Sequence, residues 1–336
     1  MSKKYDAVCI GFVVQDILLT DIPKDALSRD TSVASSAMIT SGGDAANESV
    51  TLGRLGSKTG LLVKLGNDSV SKSIYSTLED EPLDLSILVR DDNAQMLMAV
   101  VVIQPDGDRA FLVRRGNENS YLKPEEISDD VLKDTRAVTV GSLFCLPGLD
   151  GEGIAGVLKR AQSYGAITIC DMTHDLNGIG PEAQLCVYPH VDYIMPSLEE
   201  AMYVTGEKNP DRIADYFLAK GAKNVVLKLG ADGCFFKNTE KRFFSDPYDV
   251  RAVDTTGCGD CCLGGFTHAL LKGWPIEKCV DFACAVGAIN ATGVGAHHTV
   301  QSEEHVLKFM ETTPHKVIAS NYSEQVEALA AETVRM

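Results

Sequence analysis

Short apolar runs alternate with longer amphipathic stretches along most of this 336-residue chain. This alternation favours a mostly parallel sheet with helices on both faces, because each parallel strand needs a crossover that brings the chain back to the same edge. We predict strands over 5–10, 59–65, 136–140, 166–170, 191–194 and 224–229. We predict helices over 45–55, 69–78, 154–164, 197–205 and 213–220. The expected fold class is a doubly wound α/β fold.

One region departs from the alternation and predicts a second, smaller sheet. Segments 96–103 and 109–114 are rich in β-formers and flank a Pro-Asp-Gly turn, which predicts a hairpin. We expect a small β-sheet lid with strands from about 12–40 and 85–116, within one α/β domain that spans 1–336. A last helix is predicted over 322–334.

Charge and hydropathy exclude several classes of partner. The chain has 31 Lys and Arg against 47 Asp and Glu, a formal net charge of −16, so neither nucleic acid nor an anionic membrane is expected to bind. A small phosphorylated ligand needs only a local positive site. The apolar runs are shorter than the ~20 residues that cross a bilayer, and the start does not resemble a signal peptide. Several of the ten cysteines sit in apolar runs, as expected in the reducing cytoplasm.

The most informative segment is Asp-Thr-Thr-Gly-Cys-Gly-Asp at 254–260, which precedes an apolar helical run. Either threonine can cap that helix, and Gly257 and Gly259 permit a tight turn. N–H groups at a helix N-terminus bind anions, whereas Asp260 would repel one unless a reaction needs it there. A base beside a phosphate cradle suits phosphoryl transfer, in which Asp260 takes a hydroxyl proton. A capped helix with Asp in its first turn is the alternative interpretation.

A second glycine-rich segment occupies 41–47. Gly42 and Gly43 permit a ligand to approach the backbone closely, and Asp44 and Asn47 offer an acceptor and an amide one helical turn apart. Such a pair suits a polyhydroxylated ligand, which needs several hydrogen bonds in fixed positions. The alternative is a strand-to-helix turn in which Asp44 caps the helix.

Three other motifs predict different chemistry. Residues 151–156 match G-x-G-x-x-G, and Asp171 follows twenty residues after the first glycine, as in a nicotinamide dehydrogenase. That fingerprint should follow its strand directly, and here a loop intervenes. The C-x-x-C at 258–261 suggests a redox pair or half a metal site, but no second C-x-x-C completes it. His297 and His298 suggest metal ligands, although adjacent residues do not share a helix face, so a loop pair is the simpler interpretation.

Together the two glycine-rich segments resemble the two signature patterns of the ribokinase-like (PfkB) carbohydrate kinases. Residues 42–56 match the N-terminal pattern and residues 254–266 the C-terminal one, and the resemblance covers nearly the whole chain. It implies a doubly wound α/β domain with a β-sheet lid, and transfer of the γ-phosphate of ATP, with Mg²⁺, to a sugar hydroxyl. It also implies a homodimer formed through the lid, and it leaves dependence on a monovalent cation open.

The resemblance assigns roles to particular residues. Asp260 matches the catalytic base, and the anion hole matches the backbone of Gly257, Cys258 and Gly259. The implied substrate residues are Asp16, Gly42, Gly43, Asp44, Asn47 and Arg109. The implied nucleotide residues are Lys228, Gly230, Gly233 and Thr255. Glu200 is the implied residue for Mg²⁺, through water.

Four positions depart from the family's pattern. Ser197 stands where the family has the Asn of Asn-x-x-Glu, and Thr173 and Asp175 stand where it has the Asn and the Arg of Asp-x-Asn-x-Arg. The absence of that Arg makes a negatively charged substrate less expected. Cys258 replaces the usual Ala, and because a helix N-terminus lowers a thiol pKa, we hypothesise a reactive thiol beside the γ-phosphate.

The sequence thus predicts an ATP-dependent sugar kinase, with two alternatives. A nucleoside kinase of the same fold would need an aromatic residue in the lid to stack on the base, and the lid hairpin offers Phe111, with Tyr121 beyond it. A non-catalytic sugar or nucleotide sensor would gain nothing from Asp260, because the carboxylate repels the anion.

Overall fold

The computed structural model describes residues 3–105 and 109–316, so the predicted helix over 322–334 and the tip of the predicted hairpin lie outside it. The strands are β1 Tyr5–Ile10, β2 Val14–Leu19, β3 Ala37–Gly42, β4 Thr59–Leu62, β5 Lys64–Leu65, β6 Val89–Arg90, β7 Leu97–Ile103, β8 Arg109–Arg114, β9 Thr135–Leu143, β10 Ile167–Met172, β11 Tyr193–Ile194, β12 Asn224–Lys228, β13 Cys234–Lys237 and β14 Arg242–Ser245. The α-helices are α1 Asp44–Arg54, α2 Ser69–Leu78, α3 Asp129–Lys133, α4 Glu152–Ser163, α5 Leu198–Thr205, α6 Pro210–Ala219, α7 Cys258–Leu271, α8 Ile276–Ala291 and α9 Glu303–Thr312.

The central sheet has eight strands in the order β14-β13-β12-β11-β10-β9-β1-β4. From β4 to β12 every neighbouring pair is parallel, and β13 and β14 add an antiparallel edge. This arrangement confirms the predicted mostly parallel α/β fold.

Helices cover both faces of this sheet because successive strand residues point to opposite sides. In β1, Val8 and Ile10 pack into one buried cluster with residues of α4, α5 and α6. Ala7 and Cys9 pack into another cluster with residues of α1 and α2. Helices α7 and α8 pack on that second side against Val226 of β12. The strands read as continuous apolar runs because both of their faces are buried.

A second sheet has the order β3-β2-β7-β8, and we call it the lid sheet. Strand β2 is antiparallel to β3 and parallel to β7, and β7 and β8 form the predicted antiparallel hairpin. Asp16 of β2 lies opposite Thr40 of β3. Apolar residues of this sheet are exposed to solvent: Met38, Ile39, Phe111, Leu112 and Val113.

Some elements differ from the sequence expectations. The single strand predicted over 59–65 is divided, because β4 pairs with β1 while β5 pairs with β6 in a separate two-stranded sheet. The sequence did not predict the β13–β14 hairpin or helix α8. Helix α8 is buried along most of its length, so it lacks the polar face that marks an amphipathic helix. None of the helices described here is both long and apolar enough to traverse a bilayer.

Candidate active site

A cavity of about 530 Å³ lies at the carboxyl ends of the central strands. Asp171 lines it from the end of β10, Ser197 from the turn after β11, and Lys228 from the end of β12. The first turn of α7 and Asp44 of α1 complete this part of the wall. Parallel strands place their carboxyl ends at one edge, and open α/β sheets bind ligands there.

The N-terminus of α7 has no side-chain cap. Its N-cap residue is Gly257, with a φ of 70°, and a side chain at this position would collide with the carbonyl oxygen of Ala296. The predicted threonine cap is wrong, because the hydroxyl of Thr256 donates instead to buried Asp254 at 2.7 Å. The N–H of Cys258 turns back to the carbonyl of Thr255 at 3.3 Å. This helix end can therefore take an anion as its cap.

Asp260 lies half-buried in the first turn of α7. The side-chain amide of Asn47 donates to its Oδ2 at 2.7 Å. Burial raises the pKa of Asp260, and the Asn47 hydrogen bond and the Lys228 ammonium oppose the rise. A carboxylate with a raised pKa is a better proton acceptor than an ordinary aspartate.

A buried ion pair joins Asp171 and Lys228 beside this helix end. Burial lowers the pKa of Lys228, but the carboxylates of Asp171 and Glu200 raise it by more. The net pKa lies above the ordinary value, so the ammonium stays charged. Burial raises the pKa of Asp171 to about 7 against the effect of Lys228. The Lys228 Nζ is 3.0 Å from where a Cβ of residue 259 would stand, which explains the glycine there. The site thus places a cation against the anion-binding end of α7.

Ser197 and Glu200 form a capping box at the start of α5. Glu200 accepts from the backbone N–H of Ser197 at 2.8 Å, and the Ser197 hydroxyl accepts from the N–H of Glu200 at 3.3 Å. The serine that replaces the family's asparagine therefore caps the helix. Glu200 also lines the cavity.

The donor set around the cavity fits Mg²⁺ held through water and phosphate. No three metal-ligating side chains gather within residues 3–105 and 109–316. Mg²⁺ usually keeps several waters and takes only one or two carboxylates together with substrate phosphates, and Glu200 supplies such a carboxylate.

Asp16, Gly42, Gly43 and Asp44 lie together where the lid sheet meets α1. A side chain at Gly42 would collide with the Asp16 carboxylate, and burial raises the pKa of Asp16 to about 6. Gly43 has a φ of 91° and precedes Asp44, which accepts from the Ser142 hydroxyl at 2.6 Å. Burial and the nearby charge of Asp260 raise the pKa of Asp44.

These predicted sugar residues relate to the cavity in different ways. Asp44 lines it, whereas Asp16, Gly42, Gly43 and Asn47 lie next to it, linked through the contacts above. Arg109 begins β8, and its side chain is outside the part that the structure describes.

The predicted nucleotide residues all line the cavity: Lys228, Gly230, Gly233 and Thr255. Gly230 and Gly233 have positive φ values of 61° and 86°, so the turn after β12 requires glycine. The wall behind this turn is mostly apolar and includes Val250, Ala283 and Ala288. An apolar slot beside an anion-binding helix end suits a nucleotide.

The predicted lowering of the Cys258 thiol pKa is wrong. Burial raises the pKa of this thiol to about 11, above its ordinary value, which disfavours the reactive thiolate. The thiol lies 3.7 Å from the Asn290 amide and 3.9 Å from the Asp254 carbonyl. Its C-x-x-C partner Cys261 is buried against Thr51, and all ten cysteines are free thiols.

Sequence reasoning considered His297 only as a metal ligand or a loop residue and missed its contact with Asn47. His297 is 2% exposed, and its Nδ1 lies 2.8 Å from Oδ1 of Asn47. His298 instead contacts the hydroxyl of Thr40 at 3.1 Å, so the two histidines serve different neighbours. The sequence spacing gives no signal for these contacts, which depend on how the loop after α8 packs against α1 and β3.

The dehydrogenase fingerprint does not form a site. Gly151 is the N-cap of α4 and does not line the cavity, while Asp171 pairs with Lys228.

Comparison with known proteins agrees with this geometry. Residues 6–303 match the pfkB family carbohydrate kinases. A 5-dehydro-2-deoxygluconokinase from Clostridium perfringens is 24% identical over 322 residues, covering 92% of this chain and 94% of the relative. A ribokinase from Haemophilus influenzae is 26% identical over 312 residues, covering 90% of this chain and 97% of the relative.

Solved structures show the same fold. A ribokinase from Thermotoga maritima superposes with a TM-score of 0.77 at 25% identity, covering 92% of this chain and all 100% of that one. A ribokinase from Arabidopsis thaliana, complexed with ribose and ATP, gives a TM-score of 0.76 at 23% identity, covering 93% and 99%.

Proposed function

The chain belongs to the pfkB family of carbohydrate kinases and transfers a phosphoryl group from ATP to a sugar hydroxyl, and from this premise we propose how its residues carry out the reaction. The observation that carries the proposal is Asp260, held by Asn47 beside the uncapped N-terminus of α7. The dehydrogenase, sensor and nucleoside-kinase alternatives are not favoured by the family match.

In the proposed mechanism Asp260 accepts the proton of the attacking hydroxyl. The backbone of Gly257 and Gly259 and the Lys228 ammonium stabilise the charge that develops on the transferred group. The N–H of Cys258 donates to the Thr255 carbonyl at 3.3 Å and would have to turn from it to join them. Glu200 would hold Mg²⁺ through water, and the ion would neutralise phosphate charge. Gly230, Gly233 and Thr255 form the wall along which we place the nucleotide.

The proposed sugar end is formed by six residues: Asp16, Gly42, Gly43, Asp44, Asn47 and Arg109. The two glycines let the ligand approach the backbone, and Asp16 and Asp44 accept hydrogen bonds from sugar hydroxyls. Each carboxylate can accept from two hydroxyls, so this end distinguishes sugars by where their hydroxyls lie.

We propose a neutral sugar as substrate. Four carboxylates line the cavity, from Asp44, Asp171, Glu200 and Asp260, together with the ammonium groups of Lys228 and Lys316. Lys228 is paired with Asp171, so the remaining carboxylates outnumber the remaining cation and would repel an acidic sugar. Asp175 accepts from the backbone N–H groups of residues 179 and 180 at 3.0 and 2.8 Å, so its side chain stabilises its own loop. It cannot supply the positive charge that an arginine at this position would give to an acidic substrate. The relatives' names include both classes, since ribose is neutral and 5-dehydro-2-deoxygluconate is an acid.

An ADP-release assay over a sugar panel tests this choice. The panel holds neutral pentoses, hexoses and ketoses, nucleosides, and acidic sugars such as 5-dehydro-2-deoxygluconate. We expect the highest kcat/KM for a neutral sugar. A higher value for an acidic sugar would overturn the charge argument but leave the kinase assignment in place.

We further propose that the lid sheet closes over the sugar and joins two copies of the chain. Ile39 and Leu112 are 58% and 46% exposed. They lie on one face of the sheet, because the register joins Ile39, Ile17, Val100 and Leu112 across its four strands. Exposed apolar surface of this kind commonly marks an interface. Sedimentation velocity should show a dimer, and Ile39→Asp together with Leu112→Asp should give a monomer. A wild-type monomer at assay concentration would contradict the dimer.

A cytoplasmic location and a monovalent cation complete the proposal. Ten free thiols suit a reducing compartment.

The carbonyl oxygens of Thr256 and Ala296 both accept from the Asn290 amide, at 2.9 and 3.2 Å. Carbonyl oxygens are ligands for hard cations. Measuring turnover in K⁺, Na⁺ or tetramethylammonium chloride tests whether the reaction depends on a monovalent cation. Equal rates in all three salts would show that it does not.

A further inference from the structure

The loop after α8 brings one buried histidine against α1 beside the candidate site. His297 contacts Asn47 of α1, and Asn47 contacts Asp260 of α7, through distances of 2.8 and 2.7 Å. The three side chains form one continuous chain of hydrogen bonds.

The donors and acceptors along this chain can be assigned. An ionised Asp260 only accepts, so Asn47 must turn its NH₂ group toward it. The Asn47 Oδ1 then faces His297, and it needs a donor there. His297 must therefore carry its proton on Nδ1.

Helix α1 holds this histidine at two points. Asn47 and Arg54 are seven residues apart and therefore lie on one helix face. Arg54 donates to the carbonyl of His297 at 2.7 Å while it pairs with Glu81 at 2.6 Å. The backbone and the imidazole of residue 297 are thus both fixed against the helix that carries Asn47.

We propose that His297 is a positioning residue for phosphoryl transfer: by donating to Oδ1 of Asn47, it sets the orientation of the Asn47 amide, so that Nδ2 faces the base Asp260. A side-chain amide has two ends of nearly the same shape, and without a donor at Oδ1 it can flip. A flipped amide presents oxygen to the carboxylate, which repels it.

The charge state of His297 agrees with this role. Burial lowers its pKa to about 3, and the charges of His298 and Arg54 lower it as well, so the ring is neutral at working pH. A neutral imidazole has a single N–H, and that N–H is committed to Asn47.

The inference rests on the proposed role of Asp260, and its test compares two substitutions of His297 and one of its neighbour His298 at saturating sugar and ATP. His297→Leu removes the donor, and we expect kcat to fall by about 10- to 100-fold. In His297→Asn the Nδ2 stands near the place of the imidazole Nδ1, and we expect kcat within about threefold of wild type. His298→Gln is the matched neighbour, and it should leave kcat within about twofold because it contacts Thr40 instead.

A double-mutant cycle separates positioning from a general structural effect. In an Asn47→Ala background, His297→Leu should change kcat by less than about twofold, because its target is gone. If His297→Leu lowers kcat by the same factor in both backgrounds, His297 does not act through Asn47 and the inference is overturned.

Nitrogen NMR of the wild-type imidazoles gives a test that needs no variant to fold. We expect His297 to remain neutral with its proton on Nδ1 from pH 5 to pH 8. A ring protonated on Nε2, or one that titrates in this range, would overturn the inference. Failure of the proposed base is distinguishable, because Asp260→Asn would then retain kcat whatever the outcome at residue 297.

Discussion

The two ends of the candidate site are built in different ways. The end that we assign to the nucleotide phosphates is mainly backbone: two glycines, Gly257 and Gly259, and a helix N-terminus, with one ammonium from Lys228. The end that we assign to the sugar is built from side-chain carboxylates, Asp16 and Asp44, whose pKa values burial raises. Backbone N–H groups bind any phosphate, whereas carboxylates recognise where hydroxyls lie. On the proposed assignment, the nucleotide end serves the chemistry and the sugar end serves specificity.

The largest effect should come from the residue at which the two ends meet. Asp260→Asn removes the base, and kcat should fall by about 10²–10⁴-fold, while ATP affinity stays equal or improves because a repelling charge is lost. Steady-state kinetics with ATP titration by calorimetry measures both. Asp130→Asn, at a carboxylate 92% exposed on α3, is the control. A variant that keeps more than about a tenth of wild-type kcat would show that Asp260 is not the base.

The nucleotide end should tolerate no side chain on its backbone. Gly257→Ala places a Cβ against the Ala296 carbonyl at a left-handed φ, and should cost about 2–4 kcal/mol of unfolding free energy. Gly206→Ala has the same φ of 70° with open space around it, and should cost only about 1–2 kcal/mol. Urea denaturation measures both variants. Equal losses would mean that the close approach to Ala296 contributes nothing.

The sugar end should respond in KM for one substrate only. Asp16→Ala removes a hydrogen-bond acceptor for hydroxyls, so the sugar KM should rise by about 5- to 150-fold. The KM for ATP should change little. A larger change for ATP would reverse the assignment of the two ends.

The smallest effect should appear in stability as a function of pH. The pKa of Asp16 is raised to about 6 in the folded state, so ionisation opposes folding as pH rises from about 4 through 6. Asp16→Asn cannot ionise, and it should therefore be more stable than wild type at pH 8 by about 1–3 kcal/mol. At pH 4 the two proteins should differ little. Urea denaturation of both proteins at pH 4 and pH 8 measures the difference in unfolding free energy. An equal stabilisation by Asp16→Asn at pH 4 would exclude ionisation of Asp16 as its cause.

Local pattern predicted most of the elements that carry the site. Helix α2 was predicted over its observed residues, and the β7–β8 hairpin followed from a Pro-Asp-Gly turn between two β-rich runs. Helix α8 escaped prediction because burial on all sides removes the amphipathic period. The threonine cap failed for another reason, since Asp254 competes for the hydroxyl of Thr256.

The sequence by itself determined the fold class, the two glycine-rich segments and their order, and through them the resemblance to a kinase family. These properties depend on residues a few positions apart, whose periods and turn preferences are local. Only the tertiary structure decided that Asn47 meets Asp260 across 213 positions and His297 meets Asn47 across 250. It also decided that Cys258 is buried enough to raise its thiol pKa. Such contacts and such burial depend on how the helices pack against the sheet, and no short-range pattern in the chain records that packing.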